Sequence, residues 1–309
     1  MRKHQPVLLK PVIENLRLKK NGVIVDCTLG DGGHCRQIAQ RMGKKGLVIA
    51  LDYDRQNIKR FEKLNIKNVK TVWANFKDID LILRDLKIKK VDGFLLDLGF
   101  SSRQLDTVEG LSFQENGFLS MVLDKTQNNN RINAAFILNN FSKKQLQAIF
   151  REYGEIRNFK EIVEKIIRQR KVQEFQNTGQ LKKIVESCNF KEFNRKKIHP
   201  ATKVFMALRI AVNQEIENLK IFLNKFEKHL KTKGRICVIT FHSLEDRIVK
   251  KYFQRQAKKC ICSEDEMICN CSHKPSLKII TKKPIRPAKA EIFKNPKSRS
   301  AKLRIAQKI

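Results

Sequence analysis

The first candidate for chemistry is a glycine-rich turn that follows a short β-branched run. Gly30, Gly32 and Gly33 come shortly after Val23–Asp26. Glycines at such a turn let backbone amides approach a ligand at the start of a helix. Asp52 lies 19 residues beyond Gly33, at the end of another apolar run. This is the spacing at which an acidic side chain accepts the ribose hydroxyls of an adenosine cofactor.

One position decides which adenosine cofactor the turn favours. The dinucleotide fingerprint has a third glycine where this chain has Cys35, so the close helix–strand packing of that motif is absent. S-adenosylmethionine has no pyrophosphate to bind, and the turn fits it better. A plain βα turn followed by a solvated Asp52 is the alternative interpretation.

A second candidate lies at the end of a later apolar run, where Asp97 is followed by Phe100 and Ser101. Methyl transfer to an exocyclic amine needs no covalent nucleophile, only the amine lone pair in line with the methyl group. A carboxylate that accepts the amine hydrogens and an aromatic ring that stacks on the base would provide this geometry. We predict that a flipped base enters beside Asp97 and Ser101. Asp97 could instead cap the next helix.

Two closely spaced cysteine pairs form a third candidate site. Cys260 and Cys262 are followed by Cys269 and Cys271, which places four thiols within 12 residues, and His273 is nearby. Four thiolates can bind one tetrahedral zinc ion, which would be structural because no coordination position stays open. A reduced loop without metal is the alternative.

The net charge limits the choice of partner. With 65 Lys+Arg against 31 Asp+Glu, the formal charge is +34, and such a field concentrates polyanions, above all nucleic acid. Residues 274–309 contain twelve Lys or Arg and a single acid, Glu291. We expect this segment to contact RNA phosphates, with an affinity that falls as salt rises. A solvated basic tail is the alternative.

Composition points to a cytoplasmic globular protein. Hydrophobic residues make up 41% of the chain, enough for a core, and the mean hydropathy is −0.45. No run approaches the roughly 20 apolar residues that span a bilayer, and no signal peptide precedes the first element. Eight cysteines without a secretion signal indicate reduced thiols or metal. A homodimer is left open.

The elements that position these residues alternate between strand and helix. Apolar runs at 23–26, 46–52, 69–73, 91–97 and 235–240 predict strands. They imply an α/β fold with a mostly parallel, doubly wound sheet. Residues 105–200 are too long for a loop and are predicted to be an inserted helical domain. One of its helices should start at Ser142, since Ser142 and Gln145 have capping-box spacing. The remaining parts, 1–104 and 201–309, would form one domain.

A helix is predicted directly before the strand at 235–240. Apolar residues from Phe205 to Leu230 recur at helical spacing, and Gly234 follows as a stop signal. Leu303 and Ile305 indicate a closing strand near the end of the chain.

Motifs along the whole chain resemble one family. They are 4–9 (HQPVLL), 26–34 (DCTLGDGGH), 51–54 (LDYD), 92–102 (DGFLLDLGFSS), 153–155 (YGE), 199–202 (HPAT), 207–213 (ALRIAVN), 241–247 (FHSLEDR) and 295–304 (NPKSRSAKLR). The chain is similar to the ribosomal RNA small subunit methyltransferase H family. Its members use S-adenosylmethionine to make N4-methylcytidine in the decoding region of bacterial 16S rRNA.

The resemblance implies a class I methyltransferase fold interrupted by a helical domain. It implies that Gly32, Gly33 and His34 hold the methionine part of the cofactor, Asp52 the ribose and Phe76 the adenine neighbourhood. Asp97 and Gln104 complete the implied cofactor contacts, and small-subunit rRNA or the 30S particle is the implied partner.

The chain departs from the family pattern at 101–106 (SSRQLD), 109–113 (EGLSF) and 119–124 (LSMVLD). Surface drift and altered closure over the substrate are both consistent with these changes. Three hypotheses follow: an rRNA cytidine N4-methyltransferase, an rRNA-binding assembly factor with a decayed site, and a nicotinamide-dependent oxidoreductase. Cys35 and the excess of positive charge disfavour the third. His242 and Asn213 are interpreted as structural residues, with substrate positioning as the alternative.

Overall fold

The structure is a computed structural model that describes residues 6–123, 132–188, 199–262 and 270–309. The chain divides into two compact units. We call Met1–Gly99 with Glu217–Ile309 the sheet unit, and Phe100–Ile216 the helical unit.

The sheet unit contains one seven-stranded sheet. Its strands are β1 (Val23–Asp26), β2 (Leu47–Asp52), β3 (Val69–Trp73), β4 (Val91–Asp97), β5 (Leu230–Thr240), β6 (Leu277–Ile279) and β7 (Lys302–Lys308). The strand order is β3-β2-β1-β4-β5-β7-β6. The first five strands are parallel, and β7 runs antiparallel between β5 and β6. This confirms the predicted Rossmann-like α/β fold and the closing strand.

Helices cover both faces of this sheet. They are α1 (Leu9–Asn15), α2 (Gly33–Met42), α3 (Arg55–Glu62), α4 (Ile79–Asp85), α11 (Glu215–Leu223), α12 (Phe226–His229), α13 (Ser243–Ala257) and α14 (Lys289–Lys294), with 3-10 turns at Phe76–Asp78 and Pro296–Ser300. Successive residues of β4 show the two faces, because Phe94 joins one core cluster and Leu95 joins the other. Among the described residues, no helix has the length and apolar character needed to cross a bilayer.

The helical unit has a core of its own. Its helices are α5 (Ser102–Thr107), α6 (Ala134–Asn140), α7 (Lys143–Glu152), α8 (Phe159–Val172), α9 (Thr178–Glu186) and α10 (Ala201–Asn213). Ser142 and Gln145 form the predicted capping box of α7. Leu146 of that helix and Ile162 of α8 are fully buried in the shared core.

The single helix predicted before β5 is wrong. Three helices occupy that stretch, because Gln214 takes a left-handed conformation with φ of 51° and ends α10. Strand β5 then begins at Leu230, so Gly234 lies within a strand instead of ending a helix. A Cβ at Gly234 would lie 2.9 Å from the Asp92 carbonyl oxygen. The glycine therefore permits the irregular β4–β5 pairing at this point.

The compact helical unit is larger than the segment predicted as an insert. It extends from Phe100 to Ile216, whereas the sequence predicted 105–200. Helix α10 accounts for most of the difference, since Val204 and Phe205 are buried in the core of the helical unit.

Candidate active site

Three aspartates end three neighbouring strands of the sheet. Asp52 ends β2, Asp26 ends β1 and Asp97 ends β4. Because β1 lies between β2 and β4 and all three are parallel, the three carboxyl groups meet at one edge of the sheet. The strand order reverses here, and ligands of open α/β sheets bind at this kind of position.

The glycine turn lies at the same edge, and its glycines have different tasks. A Cβ at Gly32 would lie 2.2 Å from a ring carbon of Phe61, and one at Gly33 would lie 2.3 Å from Pro6. These two glycines are therefore required by packing against the protein itself. Gly30 has φ of 53°, and a Cβ there would meet nothing within 4 Å. The open space of the turn is beside Gly30.

Asp52 holds this turn in place. Its Oδ2 accepts hydrogen bonds from the Gly30 N–H at 2.8 Å and from the Asn57 side chain at 3.0 Å. Its Oδ1 accepts the Asp54 N–H at 2.8 Å. A carboxylate has about four acceptor positions, so three are filled by the described contacts and one remains.

Asp97 contacts His34 across the start of α2. The His34 Nε2 lies 3.0 Å from the Val7 carbonyl oxygen, and Nδ1 lies 3.6 Å from the Asp97 Oδ2. A carbonyl oxygen only accepts hydrogen bonds, so Nε2 carries a hydrogen. Nδ1 then faces a carboxyl oxygen, and their contact is attractive only when one of the two groups holds a further proton. Both ring nitrogens of His34 thus face protein atoms.

The sequence analysis missed Asp26. Only 1% of this residue is exposed. Its Oδ1 accepts the Thr28 N–H at 3.2 Å, and its Oδ2 is buried with no hydrogen-bond partner in the described structure. The signal was present, since Asp26 ends its strand as Asp52 and Asp97 end theirs.

Burial raises the pKa of all three aspartates. Desolvation is the main cause in each case, and it raises the pKa of Asp26 to about 7 and that of Asp52 to about 6. The pKa of Asp97 is raised well above its ordinary value by burial and by the charges of Asp26 and Glu245. Within the described residues, neither Lys nor Arg forms an ion pair with any of the three. This edge is therefore a cluster of three carboxyl groups whose ionisation is disfavoured by burial and is not compensated by a Lys or Arg among the described residues.

The remaining predicted residues lie on both units. Phe76 starts the 3-10 turn after β3 and packs edge-on against Phe222, with ring centroids 5.7 Å apart. Ser101 and Gln104 are joined in the capping box of α5, where Ser101 Oγ accepts the Gln104 N–H at 3.2 Å. Phe100 has the Arg209 guanidinium over its ring at 4.7 Å.

Two further residues have structural roles. His242 is the N-cap of α13 and forms a capping box with Glu245. Asn213 bridges two segments of the helical unit, since its Nδ2 donates to the Met121 carbonyl oxygen at 2.9 Å and its Oδ1 accepts the Leu123 N–H at 3.1 Å.

The chain matches the MraW methylase family over residues 1–309. It belongs to that family. It is 45% identical to the ribosomal RNA small subunit methyltransferase H of Halothermothrix orenii, covering 100% of this chain and 99% of that protein. It is 43% identical to the protein of the same name from Caldicellulosiruptor saccharolyticus, with 100% of both chains covered. A solved putative rRNA-methylase from Clostridium thermocellum is 11% identical, with a TM-score of 0.45 over 99% of this chain and 100% of that one.

Membership in the MraW methylase family makes the chain an S-adenosylmethionine-dependent methyltransferase, and the residues at the strand ends fit that cofactor. The cofactor carries positive charge on its sulfonium and on its α-ammonium group. The buried Asp26 Oδ2 and Asp97 Oδ1 both lack a hydrogen-bond partner among the described residues, and buried polar atoms are rarely left so. A cationic ligand would satisfy them.

The predicted zinc ligands are only partly described. Cys269 lies outside the described residues. The sulfur atoms of Cys260, Cys262 and Cys271 lie within 4.8 Å of one another.

Proposed function

We propose that this methyltransferase modifies the exocyclic N4 of a cytidine in the decoding region of 16S rRNA, in the cytoplasm. The observation that carries the donor part of the proposal is the set of carboxyl groups beside the glycine turn, those of the buried Asp26 and Asp52 and of the partly buried Asp97, with no Lys or Arg paired to them among the described residues. The names of the relatives and the net charge of +34 support the rRNA substrate.

Asp97 is the proposed catalytic residue. S-adenosylmethionine, when bound, supplies an electrophilic methyl group. Methylation would form an N4–C bond as the S–CH3 bond of the donor breaks, and the proton lost from the amine would pass to water. A carboxylate of Asp97 that accepts an N4–H would orient the lone pair of the amine toward the methyl group. His34 would keep Asp97 in this orientation from its fixed position against the Val7 carbonyl. Ser101 is proposed to contact the base.

The other proposed cofactor contacts follow the edge of the sheet. Gly32 and Gly33 shape the turn, with the open space beside Gly30 next to the cofactor. Asp52 is proposed to accept a ribose hydroxyl at its remaining acceptor position, and Phe76 is proposed to contact the adenine. Gln104 is proposed as a further contact.

The proposed domain roles follow the charge. We assign the methyltransferase domain to 1–104 and 201–309, and the inserted helical domain to 105–200, and propose that the insert and the basic C-terminal segment bind rRNA. Seven cationic side chains between 282 and 299 are exposed, namely Lys282, Lys283, Arg286, Lys289, Lys294, Lys297 and Arg299. Glu291, the only acid of this segment, is engaged, since its Oε1 accepts the Leu8 N–H at 2.7 Å. The exposed surface of the segment is therefore strongly positive.

The proposed complement of bound groups is S-adenosylmethionine for the chemistry and one structural zinc ion at the cysteines. An assembly factor with a decayed site is the less favoured function, because the glycine turn and all three strand-end acids are intact in this chain.

Mass spectrometry of rRNA nucleosides tests the proposal. A strain that lacks the protein should lose N4-methylated cytidine from its 16S rRNA, and the intact gene should restore it while the Asp97→Asn gene does not. Calorimetry of the purified chain should show binding of S-adenosylmethionine. Unchanged nucleosides together with intact cofactor binding would indicate a different substrate, and absence of cofactor binding would contradict the donor site.

A further inference from the structure

Three cysteines of the sheet unit lie together at the two ends of the segment between α13 and β6. Cys260 and Cys262 follow the end of α13, and Cys271 precedes β6. Their sulfur atoms all lie within 4.8 Å of one another, and the Sγ atoms of Cys271 and Cys260 are 3.7 Å apart.

The distance of 3.7 Å distinguishes between the possible kinds of contact. In a disulfide the two sulfur atoms are about 2.05 Å apart. Two thiolates on one tetrahedral zinc ion, with Zn–S bonds of about 2.3 Å, are separated by about 3.8 Å. The observed separation excludes a disulfide and matches two ligands of a shared metal ion, although an S–H···S hydrogen bond has the same length.

The backbone around the cluster also favours thiolates. The Ile261 N–H points to the Cys271 Sγ at 3.5 Å, and the Cys262 N–H points to the Cys260 Sγ at 3.3 Å. Such donors stabilise negative charge on sulfur, as outer hydrogen bonds do in metal sites. Lys258 and Lys259, which directly precede Cys260, are exposed, and nearby ammonium groups favour the thiolate.

Hydrogen bonds also join the two ends of the segment between α13 and β6. The Ser276 N–H donates to the Gln256 carbonyl oxygen at 2.9 Å, and the Ser276 Oγ donates to Glu227. Strand β6 starts at the next residue and pairs with β7. A metal ion at the cysteines would therefore close this loop at a second point. The second closure would reduce the conformational entropy of the loop.

We infer that Cys260, Cys262 and Cys271 bind one zinc ion that ties the end of α13 to the entry of β6. This inference rests on the zinc part of the proposed function. Zinc is the metal of choice, since thiolate ligands in tetrahedral geometry select zinc or an iron–sulfur cluster, and a cluster would need inorganic sulfide in addition to the cysteines.

Metal analysis of the full chain, purified without a polyhistidine tag, tests this inference. Plasma mass spectrometry should find about one zinc ion per chain. The variants Cys260→Ser and Cys271→Ser should each lose most of it, while Cys188→Ser, a cysteine of the helical unit, should retain it. Cobalt added to the zinc-depleted chain should give the intense visible absorption of a tetrahedral thiolate complex, and only when Cys260 and Cys271 are intact.

A second measurement covers the case in which the serine variants fail to fold. Chelation of zinc from the unmodified chain should speed tryptic cleavage within 258–276, and added zinc should reverse this. A metal-free chain whose cluster thiols all react with a thiol reagent would overturn the inference, as would iron with acid-labile sulfide or a Cys260–Cys271 disulfide. Zinc content is measured without methyl transfer, so a failed nucleoside experiment with zinc present would contradict only the methylation.

Discussion

Asp92 and Asp97 lie near opposite ends of β4, and their surroundings are opposite as well. Asp92 lies 3.0 Å from Lys19 and 2.8 Å from Lys231, and its Oδ2 accepts the Val23 N–H at 3.0 Å. These contacts outweigh the desolvation of Asp92 and lower its pKa. Asp97 has no such cations in the described structure, and its pKa is raised.

The difference distinguishes Asp92, which stabilises the fold, from Asp97, which is proposed to bind a ligand. Asp92 is supplied with its countercharges by the chain, as is Asp246, whose Oδ1 lies 2.6 Å from Arg304. A buried carboxylate oxygen without a partner costs stability, and at the other edge of the sheet Asp26 and Asp97 each carry one in the described structure. Binding of a cationic ligand would offset that cost.

Replacement of Asp97 should give the largest effect on methyl transfer. Asp97→Asn removes the carboxylate that orients the amine, and we expect methyl transfer to rRNA to fall by roughly 100-fold or more. The melting temperature should not fall, because no cation of the fold loses its partner. Transfer of labelled methyl groups and thermal denaturation on the same preparation measure both. Turnover equal to that of the unmodified chain would remove Asp97 from the mechanism.

Cofactor affinity should depend on pH through the same edge. A cationic ligand prefers ionised carboxylates, and the pKa of Asp26 is about 7 and that of Asp52 about 6. Affinity for S-adenosylmethionine should therefore fall as the pH drops below about 7, by roughly tenfold per pH unit for each protonated group. Calorimetric titration from pH 8 to 5.5 measures this, and Asp26→Asn should give a weaker but flatter profile. An affinity independent of pH would contradict the electrostatic account.

Asp26 and Asp92 should change the free energy of unfolding in opposite directions as the pH rises. The pKa of Asp26 is raised above its unfolded value of 3.8, so its ionisation as the pH rises from about 4 to 7 favours unfolding of the cofactor-free chain. The pKa of Asp92 is lowered, so its stabilisation is present above pH 3.8 and is lost in more acidic solution.

Replacement of Asp92 should lower the free energy of unfolding and leave methyl transfer intact. Asp92→Asn weakens the contacts to Val23, Lys19 and Lys231. Because the two lysine side chains are 69% and 43% exposed, the expected loss in free energy of unfolding is only about 1–2 kcal/mol. Urea denaturation measures it. The methylation rate per folded molecule should stay unchanged, and a loss of rate comparable to that of Asp97→Asn would break the distinction between the two edges.

Strands β1, β2 and β4 were predictable because each is a largely apolar run that ends at an aspartate, whereas the short strand β6 has no such run and was not predicted. The helix breaks before β5 were not predictable either, since the left-handed turn at Gln214 carries no glycine and the irregular pairing at Gly234 depends on the distant Asp92 carbonyl. Apolar residues at helical spacing continue across Gln214 to Leu230, so this pattern alone predicts one helix.

The residues of the candidate site that follow local sequence patterns could be predicted. The contacts between residues distant in the sequence could not. Asp52 and Asp97 follow from strand ends, and the same rule would have found Asp26. The capping box of Ser101 and Gln104 has the spacing that correctly placed Ser142 and Gln145. The anchoring of His34 by Val7 joins positions 27 residues apart, and nothing in the local sequence indicates it.

The glycine turn offers the smallest and most local test of where the ligand lies. Gly30→Ala places a methyl group in open space at φ of 53°, so its cost in stability should be about 1 kcal/mol from backbone strain alone. If the cofactor occupies that space, affinity for S-adenosylmethionine should fall several-fold in calorimetry. Gly32→Ala is the matched control, because its methyl group would meet Phe61 at 2.2 Å and should destabilise the fold more. Unchanged affinity in Gly30→Ala would place the cofactor away from the turn and leave the strand-end acids to bind it alone.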